Sequence, residues 1–168
     1  EVKVRLRAAG VNYADIVLIR GQYQEKPSLP FSPGLEGAGE IMSVGEGVTT
    51  FSPGDSVMAV TGNGAFAEEV VASVNSVFPI PVGMDYITAA GFPVAYGTSH
   101  IALTDRADIK KGQTLLVLGA AGGVGLTAVE CGKALGANVI AAASTKTFTP
   151  LSSIISSLGL ISLAYSIT

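Results

Sequence analysis

The chain has 168 residues, of which 48% are apolar and 14% charged, a composition typical of one or two well-buried α/β domains and unlike that of a disordered chain. Its formal net charge of −3, without any basic run, argues against nucleic acid as a partner. One cysteine excludes a disulfide framework. The first residues do not have the pattern of a signal peptide. Because Glu1 already lies inside a strand pattern, we expect a fragment.

The first 80 residues predict a small, partly open β-barrel. Val2, Val4 and Leu6 alternate with basic residues, as in a half-buried strand, and residues 8–15 then lead into a short helix that ends at Ile19. Glycine-containing turn signals separate several further short runs, a spacing typical of small barrels. These further strands are predicted at residues 39–44, 55–60 and 65–72, and near Val77.

Two prolines, Pro79 and Pro81, mark a predicted domain boundary, and residues 81–146 then have the pattern of the first part of an α/β domain. Residues 85–103 are expected to be mostly helical. The helix should be interrupted at Gly91-Phe92-Pro93, because proline cannot continue the hydrogen-bond ladder.

A β–turn–α–β unit follows, with buried parallel strands at residues 114–118 and 138–143. The helix between them should end at Gly136, the type of residue that commonly follows a helix C-terminus. Apolar residues recur along this helix at a spacing that predicts its core face. They are Val124, Ala128, Cys131 and Leu135.

The turn of this unit has glycines spaced as G-x-x-G-x-x-G, at Gly119, Gly122 and Gly125. Dinucleotide sites need such glycines for a tight turn, for close approach to a pyrophosphate and for close helix–strand packing. The N–H groups and partial positive charge of the helix N-terminus favour phosphates. We therefore expect dinucleotide binding and not merely a glycine-rich helix entry. The expected contacts are Gly119, Ala121, Gly122, Gly123, Val124 and Gly125.

The end of the second strand bears on the choice of dinucleotide. NAD sites usually have an acidic residue about 20 positions after the glycines, which binds the ribose 2′-hydroxyl. Here the sequence is Ala143-Ser144-Thr145-Lys146, without a carboxylate. Hydroxyls and an ammonium group suit a 2′-phosphate, so we expect NADPH, bound by Ser144 and Lys146. The alternative is an ordinary polar loop.

Residues 147–168 are serine-rich and uncharged, and their pattern predicts no third parallel strand. The 17 residues of 151–167 lack charge, but six serines and Gly159 make a membrane span a poor interpretation. No sequence follows for the strand that should lie on the other side of the first one. We therefore expect the nicotinamide half of the site to lack a wall and this chain by itself to be inactive.

Several unrelated segments resemble, in the same order, the zinc-free quinone oxidoreductase branch of the medium-chain dehydrogenases/reductases. The similar segments are AAGVNYAD (8–15), GQYQEKP (21–27), PGLE (33–36), GD (54–55), GAFAE (64–68), FPVAYGT (92–98) and the glycine turn. The resemblance covers residues 1 to about 146. It implies a partial GroES-like barrel, whose first strands precede Glu1, followed by a partial Rossmann domain with a parallel, doubly wound sheet.

The resemblance also implies a site without metal. Alcohol dehydrogenases of this superfamily have a cysteine and a histidine where this sequence has Asn12 and Leu35, and their structural zinc needs four cysteines. In the resembling family, residues at the positions of Asn12, Asp15 and Tyr23 line the catalytic cleft. Asn12 and Tyr23 would donate hydrogen bonds to a developing oxyanion, and Asp15 would orient them. Alternatively, Asn12 and Asp15 cap a helix and Tyr23 is a loop aromatic.

Other residues have more open interpretations. By resemblance, Val94 and Thr98 lie along the nicotinamide, as does Phe92, for which helix packing is an equal alternative. Glu36 is interpreted as structural or exposed, and His100 as a packing or capping residue.

The glycine turn and the segment after the second strand predict an NADPH-binding protein. The resemblance implies a zinc-free oxidoreductase that transfers hydride to a small-molecule quinone or an α,β-unsaturated carbonyl. We expect no membrane or nucleic-acid partner, a homo-oligomer for the full-length relatives, and a cytoplasmic location, with a mitochondrial one left open. Two alternatives remain. One is a protein that binds the cofactor without catalysis, and the other is an interaction module that pairs with a full-length relative.

Overall fold

The computed structural model describes residues 1–143 and the backbone of residues 161–164. The predicted cofactor ligands Ser144 and Lys146 lie outside the described residues. The chain divides into two compact units, Glu1–Val94 and Ala95–Thr168.

The first unit contains one antiparallel sheet of five strands in the order β4-β1-β2-β3-β5. The strands are β1 (Val2–Gly10), β2 (Glu36–Val44), β3 (Ser56–Val60), β4 (Glu69–Ala72) and β5 (Val77–Pro79). A short 3₁₀ helix, Val74–Ser76, separates β4 from β5. The main core contains Val2, Val4, Ile41, Val57, Ala59, Ala72 and Val77. The prediction of a domain of short antiparallel strands is therefore confirmed.

The strand predicted at residues 65–72 is shorter, because its first half bonds elsewhere. The N–H of Ala65 donates to the carbonyl of Gly34 at 3.1 Å, and the N–H of Phe66 donates to the carbonyl of Pro33 at 2.9 Å. These groups are satisfied by the loop before β2 and do not join the ladder, so β4 begins only at Glu69.

Strand β1, in contrast, runs past Leu6 to Gly10, and it approaches β2 closely. A Cβ atom on Gly39 would lie 2.8 Å from the carbonyl carbon of Arg5, a distance that real Cβ atoms do not show. The pairing register also shifts between Leu6 and Ala8, as at a β-bulge. Glycine at position 39 therefore permits the close pairing of these two strands.

Two helices complete the first unit, α1 (Tyr13–Ile19) and α2 (Tyr86–Ala90). Asp85 caps α2, since its side chain accepts a hydrogen bond from the Thr88 N–H at 2.7 Å. Ala89 and Ala90 then pack against Ala38 and Met58 of the sheet. Helix α2 thus belongs to the first unit by contact, whereas the sequence places the domain boundary before it, at the two prolines.

The next helix, α3 (Pro93–Ile101), contains the division between the units in its first turn. The interruption predicted at Gly91-Phe92-Pro93 separates α2 from α3, as expected. A π-helical turn, Ala102–Arg106, continues α3.

The second unit contains the predicted β–turn–α–β arrangement. Its elements are β6 (Thr114–Leu118), α4 (Gly123–Ala134) and β7 (Asn138–Ala143), and the two strands are parallel. Gly136 has φ of +81° just after α4, where glycine is favoured. The core of this unit contains Val117, Ala120, Val129, Ala137, Val139 and Ala141. The sheet and helix predictions are confirmed here.

The predicted core face of α4 is correct only in part, since Ala128 packs against the core of this unit. The buried residues of the helix are Thr127, Val129 and Gly132, whereas Val124 is exposed. A Cβ on Gly132 would lie 2.6 Å from Leu115, so this glycine lets the helix settle on β6 along a different face. The apolar spacing alone could not show this, because the buried face includes a glycine and a threonine.

The expectation that residues 147–168 provide no third strand is also wrong. Strand β8 (Ile161–Ala164) pairs with β7 in parallel, and the sheet order is β6-β7-β8. A four-residue strand at a sheet edge needs only a short uncharged run, and the expectation required a longer pattern than that.

Candidate cofactor and substrate site

The glycine turn brings the predicted cofactor ligands together between β6 and α4. Gly119 has φ of +65°, a conformation that favours glycine. A Cβ on Gly125 would lie 2.8 Å from the carbonyl carbon of Gly119, and nearer still to its oxygen. Gly122 is the N-cap of α4, and its N–H donates to the Gly119 carbonyl at 2.9 Å. Gly119 thus forms the turn, and the other two glycines lie against its carbonyl. Gly122 donates a hydrogen bond to it, and Gly125 packs closely against it.

The N-terminus of α4 is suited to an anion. The first backbone bond of the helix runs from the Leu126 N–H to the Gly122 carbonyl at 2.8 Å. The N–H groups of Gly123, Val124 and Gly125 come before it and have no carbonyl acceptor within the helix. No capping side chain is present at Gly122 among the described residues. The positive end of the helix dipole is therefore open to a ligand.

Two buried hydroxyl groups, which were not predicted from the sequence, join α3 to α4. Ser99 Oγ lies 2.7 Å from Thr127 Oγ1 and donates to the Val124 carbonyl at 2.9 Å. Thr127 Oγ1 also lies 3.0 Å from the Ala95 carbonyl. These bonds hold the first turn of α4 in place. Small polar residues within two helical patterns were the only signal, and that signal is too common to be diagnostic.

One turn further along, the phenol of Tyr96 donates a hydrogen bond to the Glu130 carboxylate. This bond, followed by burial and the charge of Glu130, raises the pKa of Tyr96 to about 12. The phenol therefore stays protonated as a donor at neutral pH. Burial similarly raises the pKa of the neighbouring Cys131 thiol, which makes it a poor nucleophile. The predicted nicotinamide contact Thr98 is exposed on the same helix, α3.

In the first unit, a buried polar cluster contains two of the predicted catalytic residues. Asn12 is the N-cap of α1, and its backbone N–H donates to Asp15 Oδ2 at 2.8 Å. The Asn12 side chain donates from Nδ2 to Glu36 Oε1 at 2.8 Å. Glu36 Oε2 accepts the N–H of Val94, at the start of α3, at 2.7 Å. Asn12 and Asp15 therefore cap the N-terminus of α1, as one of the two interpretations expects. The side chain of Asn12 has an additional hydrogen bond, to Glu36.

Glu36 and Asp15 are both buried, each with 1% of its surface exposed. Burial raises the pKa of Glu36, hydrogen bonds from Asn12 and Val94 oppose the rise, and the charge of Asp15 adds to it. Within the described residues, Asp15 Oδ1 is buried without a hydrogen-bond partner. Glu36 is the first residue of β2, which begins three residues before the strand predicted from the sequence. Of the two interpretations offered for Glu36, structural or exposed, the structural one is therefore correct.

The third predicted catalytic residue, Tyr23, is half-buried in the loop after α1. In the part of the chain that the structure describes, no hydrogen bond joins Tyr23 to the cluster around Asn12. A groove of about 420 Å³ in the same unit contains none of the predicted site residues. Its lining is Leu6, Arg7, Ala8, Ala9, Ala65, Phe66, Ala67 and Glu68.

The described residues contain no group of three or more histidine, cysteine, aspartate or glutamate side chains placed to hold a metal ion. The side-chain nitrogen of Asn12 donates a hydrogen bond to Glu36, and the side chain of Leu35 has no atom that could bind a metal ion.

Residues 1–82 match the alcohol dehydrogenase GroES-like domain. The chain is 43% identical over 144 residues to a quinone oxidoreductase-like protein 2 homolog of Nematostella vectensis, covering 84% of this chain and 40% of that protein. The chain is therefore similar to the medium-chain dehydrogenases/reductases, and its first 82 residues have the GroES-like domain. It spans about two fifths of the length of the curated relatives that it matches.

Two solved structures share this architecture. A probable oxidoreductase from Mycobacterium abscessus has a TM-score of 0.88 and 37% identity, covering 98% of this chain and 52% of that one. The quinone oxidoreductase from Thermus thermophilus, also solved in complex with NADPH, has a TM-score of 0.80 and 33% identity, covering 97% and 50%. The partial GroES-like and partial Rossmann architecture is therefore confirmed.

None of the helices in the described part of the chain is both long and apolar enough to cross a membrane.

The raised pKa of Glu36 has a consequence for stability. Because the folded state binds this proton more tightly than the unfolded state, stability from Glu36 is complete below its ordinary pKa of 4.5 and is lost as pH rises through the folded pKa. The free energy of unfolding of the natural protein, relative to that of Glu36→Gln, should therefore fall with rising pH. Urea unfolding of both proteins between about pH 4 and pH 8 measures this difference. A difference that stays constant or rises would contradict the expectation.

Proposed function

We propose that the protein is an NADPH-dependent, zinc-free oxidoreductase that reduces a quinone or an α,β-unsaturated carbonyl. The observation that carries the proposal is the glycine turn, where Gly125 packs against the Gly119 carbonyl and exposes the N-terminus of α4. Similarity to quinone oxidoreductase-like proteins supports a hydride-transfer reaction, and the solved quinone oxidoreductase supports a nicotinamide cofactor.

The pyrophosphate of the cofactor would bind the N–H groups of Gly123, Val124 and Gly125, which the geometry of the turn leaves open. Ser144 and Lys146 would bind the ribose 2′-phosphate as hydroxyl donor and countercharge, and no carboxylate follows β7 to favour a 2′-hydroxyl. Val94 and Thr98, on α3, would lie along the nicotinamide.

When bound, the cofactor would supply the hydride, and solvent the proton. The protein has to orient the acceptor and stabilise its developing charge without a metal. Tyr23 would donate its phenolic hydrogen to the developing oxyanion. Asn12 would orient the reactants with the amide groups that Glu36 leaves free, and Asp15 would hold the backbone of Asn12 at the start of α1.

Gly125→Ala tests the role of the turn. A Cβ at this position requires the backbone at Gly119 to shift, so we expect NADPH affinity to fall by about tenfold or more. Gly97→Ala, in α3 with open space around the added atom, is the control and should bind normally. Fluorescence titration measures affinity, and thermal unfolding verifies the fold. A folded Gly125→Ala protein with undiminished affinity would argue against dinucleotide binding at this turn.

Lys146→Ala tests the choice of cofactor. Loss of a charge-assisted hydrogen bond to the 2′-phosphate should weaken NADPH binding by about 1–3 kcal/mol and leave NADH binding unchanged. Lys110→Ala, which removes an exposed lysine paired with Asp108, is the matched control. Equal losses for the two cofactors would show that Lys146 does not contact the phosphate.

Asn12→Ala and Tyr23→Phe test catalysis. Each should lower the turnover of a simple quinone with little change in NADPH affinity, because each removes a group that acts on the reactants. Loss of one preorganised donor costs about 2.7–4 kcal/mol in transition-state stabilisation. Steady-state NADPH oxidation, together with direct binding, provides the measurement. Cofactor binding without any turnover by the natural protein would favour the non-catalytic alternative, and absence of both would favour the interaction module.

A further inference from the structure

We propose that Glu36 is the positioning residue of the substrate site, since it fixes the side-chain amide of Asn12 and the first turn of α3 with one buried carboxylate. This inference rests on the proposed function, because it assigns Asn12 a part in the reaction.

The hydrogen bonds of Glu36 determine the orientation of the Asn12 amide. A carboxylate only accepts, so the atom of Asn12 that faces Glu36 Oε1 at 2.8 Å has to be Nδ2, and the orientation of the amide is determined. The second oxygen, Oε2, accepts the Val94 N–H at 2.7 Å. Both oxygens of Glu36 therefore accept a hydrogen bond, one from the side chain of Asn12 and one from the backbone of Val94.

The Glu36 carboxylate is buried in a closely packed space. Glu36 is 1% exposed, and a Cβ on Gly10 would lie 2.5 Å from its Oε1 and 2.6 Å from the Ala90 carbonyl. The space for the side chain thus exists only because residue 10 is glycine. Asp15 holds the main chain of Asn12 through the backbone N–H at 2.8 Å, so Asn12 is held at both its backbone and its side chain.

The amide of Asn12 still has hydrogen-bonding groups that could contact a ligand. In the capping box of α1 the Asn12 side chain faces the backbone N–H of Asp15, so one lone pair of Oδ1 and the second Nδ2 hydrogen remain. Asn12 is only half-buried. Glutamine at position 36 would accept the Val94 N–H through Oε1 and would donate from Nε2. Asn12 would then have to rotate its amide so that Oδ1 faces residue 36. The groups that Asn12 offers to the reactants would be exchanged without any large change in shape or volume.

The test compares Glu36→Gln with Glu46→Gln, the same chemical change at an exposed acid in the turn after β2, in the full-length protein. We expect Glu36→Gln to lower kcat for a simple quinone by about tenfold or more, with the KM for NADPH within about twofold. Glu46→Gln should match the natural protein. A turnover of Glu36→Gln equal to that of the natural protein would overturn the inference.

A second measurement needs neither cofactor nor turnover. In the natural protein, ¹⁵N–¹H spectra should show one side-chain amide hydrogen of Asn12 shifted downfield and slow to exchange, as expected for a bond to a buried carboxylate. The signal is assigned by its loss in Asn12→Asp. In Glu36→Gln it should move upfield, because the hydrogen no longer faces an acceptor.

Ordinary, rapidly exchanging Asn12 amide signals in the natural protein would overturn the inference even if Glu36→Gln fails to fold. A natural protein that has the shifted signal but reduces no quinone or enone would instead overturn the proposed function, so the two failures are distinguishable.

Discussion

A buried carboxylate has to be hydrogen-bonded, and in the first unit that requirement connects three elements that are distant in sequence. Glu36 lies at the start of β2, Asn12 at the start of α1 and Val94 at the start of α3. Removing an ionised carboxylate from water is costly unless its oxygens are satisfied. Here the Nδ2 of Asn12 and the backbone N–H of Val94 each satisfy one oxygen. The start of each helix is thereby held against the sheet at one point.

In the second unit a backbone constraint has the same organising effect. The Gly119 carbonyl accepts the Gly122 N–H, and it occupies the space that a side chain on Gly125 would need. The N–H of Ala120 donates to the Ala142 carbonyl at 3.0 Å, which connects the turn to the end of β7. Tight packing of the turn against the helix and the strand therefore depends on glycine, and the first N–H groups of α4 have no acceptor within the helix.

The parts of this structure that could be predicted are those set by short-range patterns. The strand–turn–helix–strand unit follows from apolar runs and glycine spacing, and its two strands pair in parallel as predicted. The buried face of α4 could not be read in this way, since Gly132 packs there because of Leu115, a residue from another element. The same holds for β8, whose pairing depends on an available sheet edge more than on its own four residues.

The candidate site shows the same limit. The three glycines of the turn, together with Asn12 and Asp15, could be identified from their local motifs, because turn formation and capping involve neighbours a few residues apart. The contacts of Glu36 join positions 12, 36 and 94, and no periodicity connects them. The strand was predicted to begin only at residue 39, so the position of Glu36 at its start and its contacts became visible only in three dimensions.

The two buried acids also determine which predicted donor suits a developing oxyanion. Asn12 lies between Asp15 and Glu36, and it already donates one amide hydrogen to a carboxylate. Negative charge that develops beside this cluster would be repelled by both acids, more strongly than at an exposed site because screening by water is weak there. Tyr23 has no carboxylate among its hydrogen-bond partners within the described residues, so its phenol is free to donate fully. In the proposed reaction the oxyanion therefore belongs next to Tyr23, and Asn12 is better suited to orient a reactant group that donates a hydrogen bond to its Oδ1.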